Sequence, residues 1–199
     1  MITRSRAVPL LLILLALPVG ACGPLGRSTA SATPETTFRG ATTPTAGLGD
    51  ANIAAIVVAA NNADIMYADQ ALAKTQDAEV RAFATMVKKD HEAVNEAAVA
   101  LVTRLKVTPA DNQLSFDLRD DAESKRLVFR DLEGFAFDSA YSANEVAYHR
   151  TLLGAIDGAL IPSAQNAELR TLLVDVRPAV QAHLDHAVAM AATKTVRRP

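Results

Sequence analysis

From Asp50 onward, apolar residues recur at alternating steps of four and three, the period of helices that bury one face. A first helix is predicted over about 51–75, with Asp50 as its N-cap and a seam of Ile53, Val57, Ala60, Asp64, Tyr67 and Ala71. A second, about 78–106, is capped by Asp77 and carries Val80, Ala84, Val87, His91, Val94, Ala98, Leu101 and Leu105, with Pro109 as its stop. The stretch 114–133 is dense in charge and has a thinner apolar set, Leu118, Ala122, Phe129 and Leu132, as expected of a surface helix crossing between bundle members. Gly134 breaks it, and Asp138 is placed to cap a fourth helix over about 139–159, whose stripe is Tyr141, Glu145, His149, Leu152 and Ile156. Ile161-Pro162-Ser163 closes that helix. A fifth, about 167–192, begins after Asn166 and carries Leu169, Leu172, Val176, Val180, His183, Ala187 and Met190, with Pro178 inside it as a local bend. Four long amphipathic helices and one connecting helix predict an all-α fold, a four-helix bundle over residues 50–192.

The segment before Asp50 has a different grammar. Residues 22–49 are rich in Gly, Ser, Thr, Pro and Ala without any period, and read as a disordered tether with a reach of roughly 30 Å. Residues 1–21 start with Arg4 and Arg6, continue through an apolar run from Val8 to Leu17, and end on small residues, which is the pattern of an export signal. The run is short of the roughly 20 apolar residues that a permanent membrane helix needs. Val19-Gly20-Ala21-Cys22 resembles the lipobox of bacterial lipoproteins, in which the cysteine is acylated and becomes the new N-terminus. The alternative is an ordinary secretory signal that leaves Cys22 as a free thiol. On the lipoprotein reading the protein is exported and held at the cell envelope by lipidated Cys22. Gly23 is compatible with the outer membrane, or the periplasmic face, if the host has two membranes. The basic residues Lys194, Arg197 and Arg198 in the tail 193–199 follow the last helix, where its dipole favours positive charge.

Charge narrows the partners. The whole chain carries a formal −2, and loss of residues 1–21, with two arginines and no acid, leaves −4. That balance excludes the basic footprint nucleic acid demands, and also charge-driven binding to anionic headgroups. Tryptophan is absent and aromatics are few, so the core is made of small side chains suited to close helix packing. With one cysteine the fold stands without an internal disulfide. No Ser-His-Asp order, glycine-rich phosphate loop or paired cysteine supports acyl transfer or nucleotide chemistry.

The informative residues are the ionisable ones that occupy apolar positions: Asp64, His91, Glu145 with His149, and His183, at least one on each long helix. Unpaired, such groups cost several kcal/mol to bury. If the connecting helix leaves the second and fourth helices parallel, all five fall in one layer; an up-down-up-down bundle also brings them near mid-height. Imidazoles and carboxylates converging there are what one transition-metal or zinc ion needs. Asp90 is a further ligand or an orienting partner, His186 lies within a turn of His183, and Tyr141 is placed to flank the layer. Tyr67, Tyr141 and Tyr148 are each placed to flank a redox site, although tyrosine in a bundle is usually amphipathic filler. A hydrogen-bonded network that fixes helix register accounts for the same residues without any metal.

Ala63-Asp64-Ile65, the run from Val80 through Lys89-Asp90-His91 and the following Asn95, then Phe137-Asp138-Ser139-Ala140-Tyr141 with His149, and Ala182-His183-Leu184, together resemble the bacterial ferritin-like family known as domain of unknown function 4142. The resemblance spans about residues 50–192, is common among exported and lipid-anchored proteins, and implies a ferritin-like bundle without implying an activity. The first-helix acid of that family is typically glutamate, where this chain has Asp64. A ferritin-type di-iron centre uses Glu-x-x-His on two helices, whereas here the spacing is Glu145-x-x-x-His149, beside Asp90-His91 and His183-x-x-His186. The expectation is therefore a histidine-rich site for one ion. The rival is a non-catalytic envelope interaction or stress-protective module whose histidines staple the bundle. Whether the protein is an enzyme stays open.

Overall fold

A computed structural model describes residues 47–195. The export signal, Cys22, the tether up to residue 46 and the tail residues 196–199 lie outside the described residues. The described chain is helical: α1 (Asp50–Lys74), α2 (Ala78–Leu105), α3 (Gln113–Arg130), α4 (Gly134–Ala155), a π turn (Ile156–Leu160), a short α5 (Ile161–Ser163) and α6 (Ala167–Lys194). No helix among the described residues is long and apolar enough to cross a membrane.

Side-chain caps set two of the starts as expected. Asp77 accepts from the backbone N–H groups of Glu79 and Val80 at 2.9 and 3.1 Å, and Asn166 accepts from Glu168 and Leu169 at 2.9 and 3.2 Å. Two others differ from expectation. Gly49, not Asp50, is the N-cap of α1, its N–H held at 3.3 Å by the Asn52 side chain. The Asp50 carboxylate instead accepts from the backbone of Gln165 and Asn166, at 2.8 and 3.0 Å, tying the start of α1 to the start of α6. Gly134 does not separate helices but opens α4, in the left-handed region at φ 53°, where a side chain would be strained. Asp138 is consequently inside α4, buried, and accepts the hydroxyl of Thr75 at 2.5 Å. At the end of α2 the chain turns at Lys106, φ 56°, three residues before Pro109, and Val107 N–H reaches back to the Val102 carbonyl.

Packing follows from the directions of travel. A three-residue turn folds α2 back along α1, and α1 also packs against α3. Cross-links from α1 to α3 keep the same order along both: Asn52 to Ala110 near the starts, Gln70 to the Arg126 carbonyl, and Lys74 to the carbonyls of Arg130 and Leu132. Thus α3 runs parallel to α1 along its length and buries Leu118, Ala122 and Phe129. It returns the chain to the end from which α2 set out, so that α4 starts beside the start of α2 and descends parallel to it. Thr75–Asp138 at one height and the Tyr148 hydroxyl on the Ala60 carbonyl, 2.6 Å, at another fix α4 antiparallel to α1. Finally α6 returns along α4 and α2, its end clasped where Lys194 Nζ meets Asp77 and Glu79 at 2.6 and 3.1 Å. Packing is closest within the α1/α2 and α4/α6 pairs and looser between α2 and α6.

The core between these helices is small-residue rich along α1 (Ala55, Ala59, Ala60, Ala63, Ala68, Ala71) and aromatic opposite. Tyr67, Phe83, Phe129, Phe137 and Tyr141 are almost fully buried, with edge contacts such as Tyr67–Phe129 at 5.9 Å between ring centres.

Asp77 caps α2 and anchors the end of α6 at once. Asp77→Ala is expected to cost about 1–2 kcal/mol in urea unfolding, and Asp77→Asn, which keeps the cap and loses the charge, to cost less than that.

Candidate metal centre

Asp64 sits on the inner face of α1 with no exposure at all. Its Oδ2 lies 2.9 Å from Nε2 of His91 on α2 and 3.2 Å from Nε2 of His149 on α4. Glu145, one turn before His149 and equally buried, brings Oε2 to 3.4 Å from Nδ1 of that ring. His183 enters from α6, its ring centre 5.5 Å from that of His91 and 5.3 Å from that of His149. Ligand atoms of His91, His149 and His183 lie within 4.8 Å of one another, as do those of Asp64, Glu145 and His149. The structure therefore brings the five residues singled out in the sequence into one layer, one or two from each long helix.

Every histidine in the layer has one ring nitrogen committed outward. His91 Nδ1 is 2.6 Å from the Asn61 side-chain oxygen, His149 Nδ1 is 3.0 Å from the Glu145 backbone carbonyl, and His183 Nε2 is 2.9 Å from the Asp90 carboxylate. Each of those oxygens accepts, so each of those nitrogens carries the hydrogen. The ring nitrogens turned inward are His91 Nε2, His149 Nε2 and His183 Nδ1. All three are buried without a hydrogen-bond partner, as are both oxygens of Asp64 and both of Glu145. The close Asp64–imidazole approaches do not have hydrogen-bond alignment. Seven buried donor atoms converge and satisfy one another poorly, in a protein interior where such atoms are normally paired.

Electrostatics sort the two carboxylates. Burial alone would raise the Asp64 carboxyl, but the imidazoles of His91 and His149 outweigh it and hold the group well below the usual carboxylate range. Glu145 goes the other way: burial first, then the neighbouring Asp64 charge, raise it well above its ordinary value. His183 is lowered, chiefly by burial against the opposing pull of Asp90, which favours the neutral ring. Tyr141 and Tyr67 are both raised, chiefly by burial, and their hydroxyls are buried without a partner near the acids.

The remaining residues separate clearly. Asp90 orients His183 from the rim of the layer. Tyr141 lies beside Glu145 on α4. His186 does not join the three rings; it stacks edge-on to Phe83 at 5.1 Å and is half-buried. Asn61 is the residue beside the layer that sequence reasoning missed. It lies three residues before Asp64, off the apolar seam, and only its position on the same helix turn as the buried acid marks it. Asp138, Tyr67 and Tyr148 support the surroundings through Thr75, the α3 aromatics and the Ala60 carbonyl.

A family model described as Domain of unknown function (DUF4142) matches residues 34–190, and the chain belongs to that family. No curated protein and no solved structure matches it.

The direction of the Glu145 shift has a consequence for the metal-free protein. A carboxyl raised in the folded state favours folding below its unfolded value, near 4.5, and that contribution is lost as pH rises. Glu145→Gln mimics the protonated acid at every pH. It is expected to raise the melting temperature of the chelator-treated protein at pH 7–8 and to leave it nearly unchanged at pH 4. An unchanged or lower melting temperature at pH 8 would contradict the assignment.

Proposed function

We propose that this member of the DUF4142 family is a lipid-anchored protein of the cell envelope whose ferritin-like bundle binds one transition-metal or zinc ion in the Asp64–His91–Glu145–His149–His183 layer. The observation that carries the metal reading is the set of seven unpartnered donor atoms. Three imidazoles are each fixed in one tautomer by an outer acceptor, the arrangement that presents a lone pair to a metal. Three nitrogens and two carboxylates suit zinc, iron, copper or nickel, and the two acids balance a divalent charge. A bound ion would displace the Glu145 proton, so that uptake is accompanied by proton release.

A single ion is favoured over a pair. The two groups of candidate ligands share His149, whose Nδ1 is already spent on its own helix, leaving one nitrogen for both. The ferritin-like assignment rests on the helix directions: a long connection through α3 between two antiparallel pairs, with α2 and α4 parallel, is the single-crossover arrangement of that fold. The envelope address rests on the signal-like residues 1–21 and on Cys22.

The chain is to be purified without a histidine tag, its N-terminal segment intact, and challenged with iron, zinc, manganese and copper before elemental analysis. One ion per chain is expected in the parent and none in the His91→Ala, His149→Ala double variant. No retained metal in either would leave the histidines as staples of the bundle. Retention should fall as pH drops through the imidazole range, near 6.5; retention unchanged well below that would exclude imidazole ligands. For the chelator-treated protein, His149→Leu should lower the melting temperature, because it leaves the fully buried Asp64 carboxylate with one partner fewer; an unchanged or higher melting temperature would show that Asp64 does not depend on that ring.

A further inference from the structure

Beside the histidine layer lies a partly enclosed cavity of about 40 Å³ between the two helix pairs. A water needs about 10–15 Å³ by the same measure, so the space holds roughly three or four water-sized positions. Its walls are aliphatic, chiefly Val57 and Ala60 of α1, Val94 of α2, Ile156 and Leu160 of the π turn, and Val180 of α6. Asn61, His91, Asp90 and His183 border it too, in the bonded pairs Asn61–His91 and Asp90–His183, but the surface that faces the space is almost wholly apolar. A water there would find few of the two to four partners it requires, and an ion would lose its hydration for little. Towards the surface the lining passes to half-buried Val94 and Val176 and exposed Ala179.

Two local irregularities of the helices lie beside this space. The π turn widens the helix that supplies Ile156 and Leu160, with Ile161 N–H reaching back five residues to the Ile156 carbonyl. Pro178 interrupts the hydrogen-bond ladder of α6 between Val176 and Ala179, and its ring stands off the carbonyl one turn earlier. The π turn packs against α4, α5 and α6, and Pro178 lies on α6, which meets α2 only loosely.

We propose that this cavity is a binding pocket for a neutral diatomic gas molecule, admitted between α2 and α6 and delivered to the His91–His183 side of the layer. Size excludes any organic substrate of more than a few heavy atoms, and the aliphatic lining selects against water and ions. That the gas meets a metal there rests on the function proposed above; the pocket itself does not.

The test has two arms. Xenon is the probe for the pocket in the metal-free, methyl-labelled full chain. Under xenon pressure the methyl resonances of Val57, Val94, Ile156 and Val180 should shift, while that of Val80, in the core near the other end of α2, stays still. Ala60→Leu, which fills the cavity, should abolish the shifts, with Ala179→Leu at the mouth as the second variant should the first fail to fold. Absence of xenon-dependent shifts in the parent, or their survival in a folded filled variant, overturns the pocket. Nitric oxide is the probe for delivery, in protein loaded with ferrous iron and measured by stopped flow. Its association should slow at least tenfold in a filled variant whose iron content equals that of the parent. Equal association rates at equal iron content overturn delivery and leave metal binding standing. Failure of the parent to hold iron, with intact xenon shifts, overturns delivery to a bound ferrous ion and leaves the gas pocket supported.

Discussion

Asp64 is a carboxylate on the inner face of α1, which packs against α2, α3 and α4, and it has no access to water. A lone charge there would be ruinous, so each helix that touches α1 at that height has to answer it. His91 answers from α2 and His149 from α4, while burial and the Asp64 charge push the neighbouring Glu145 carboxyl well above its ordinary range. The alanine-rich surface of α1 is part of the same solution, because only small side chains let two further helices come close enough for their imidazoles to reach one acid. The outer acceptors complete it: Asn61, the Glu145 carbonyl and Asp90 orient the rings without neutralising the layer's inner face.

The connection through α3 is what makes that convergence possible. By running parallel to α1 it delivers α4 to the same end of the bundle as α2, and residues 91 and 149 then stand at similar depths along parallel helices. Lys74, reaching the carbonyls that end α3 as well as Glu133, pins the transfer at the upper end. Asp50, bonded to the backbone before α6, pins the return at the lower end. Neither interaction touches the layer, yet both fix the relative heights on which it depends.

Those heights mark the limit of what could be read in the chain. The helices were legible from their periods, and Asp77 and Asn166 were legible as caps because a side-chain cap is a purely local signal. Asp50 and Asp138 carry the same local signal but were drawn into tertiary bonds, so the starts they suggested were displaced. The five residues of the layer stood out because a charge on an apolar stripe contradicts its surroundings. Which atoms of those residues are spent and which are left over was not legible, since it depends on ring orientation and on distances between helices. Asn61 was silent for the same reason: an amide off the seam becomes meaningful only when a particular ring nitrogen points at it. His186, a turn from His183 and chemically identical, faces Phe83 instead.

The π turn after α4 connects the spacing of the sequence to the shape of the molecule. Along this helix the buried positions run Tyr141, Glu145, His149, Leu153, then Ile156, Leu160 and Ala164, mostly in steps of four. In a regular α-helix each such step overshoots the turn by about 40°, so a stripe written in fours winds steadily away from its starting face. A wider turn takes up part of that excess and brings Leu160 and Ala164 back under cover. The helix thereby behaves as two segments differing in angular phase, one aimed to present Glu145 and His149 inward, the other aimed to close the bundle's lower end. A single extra residue per turn lets one continuous rod serve two azimuths.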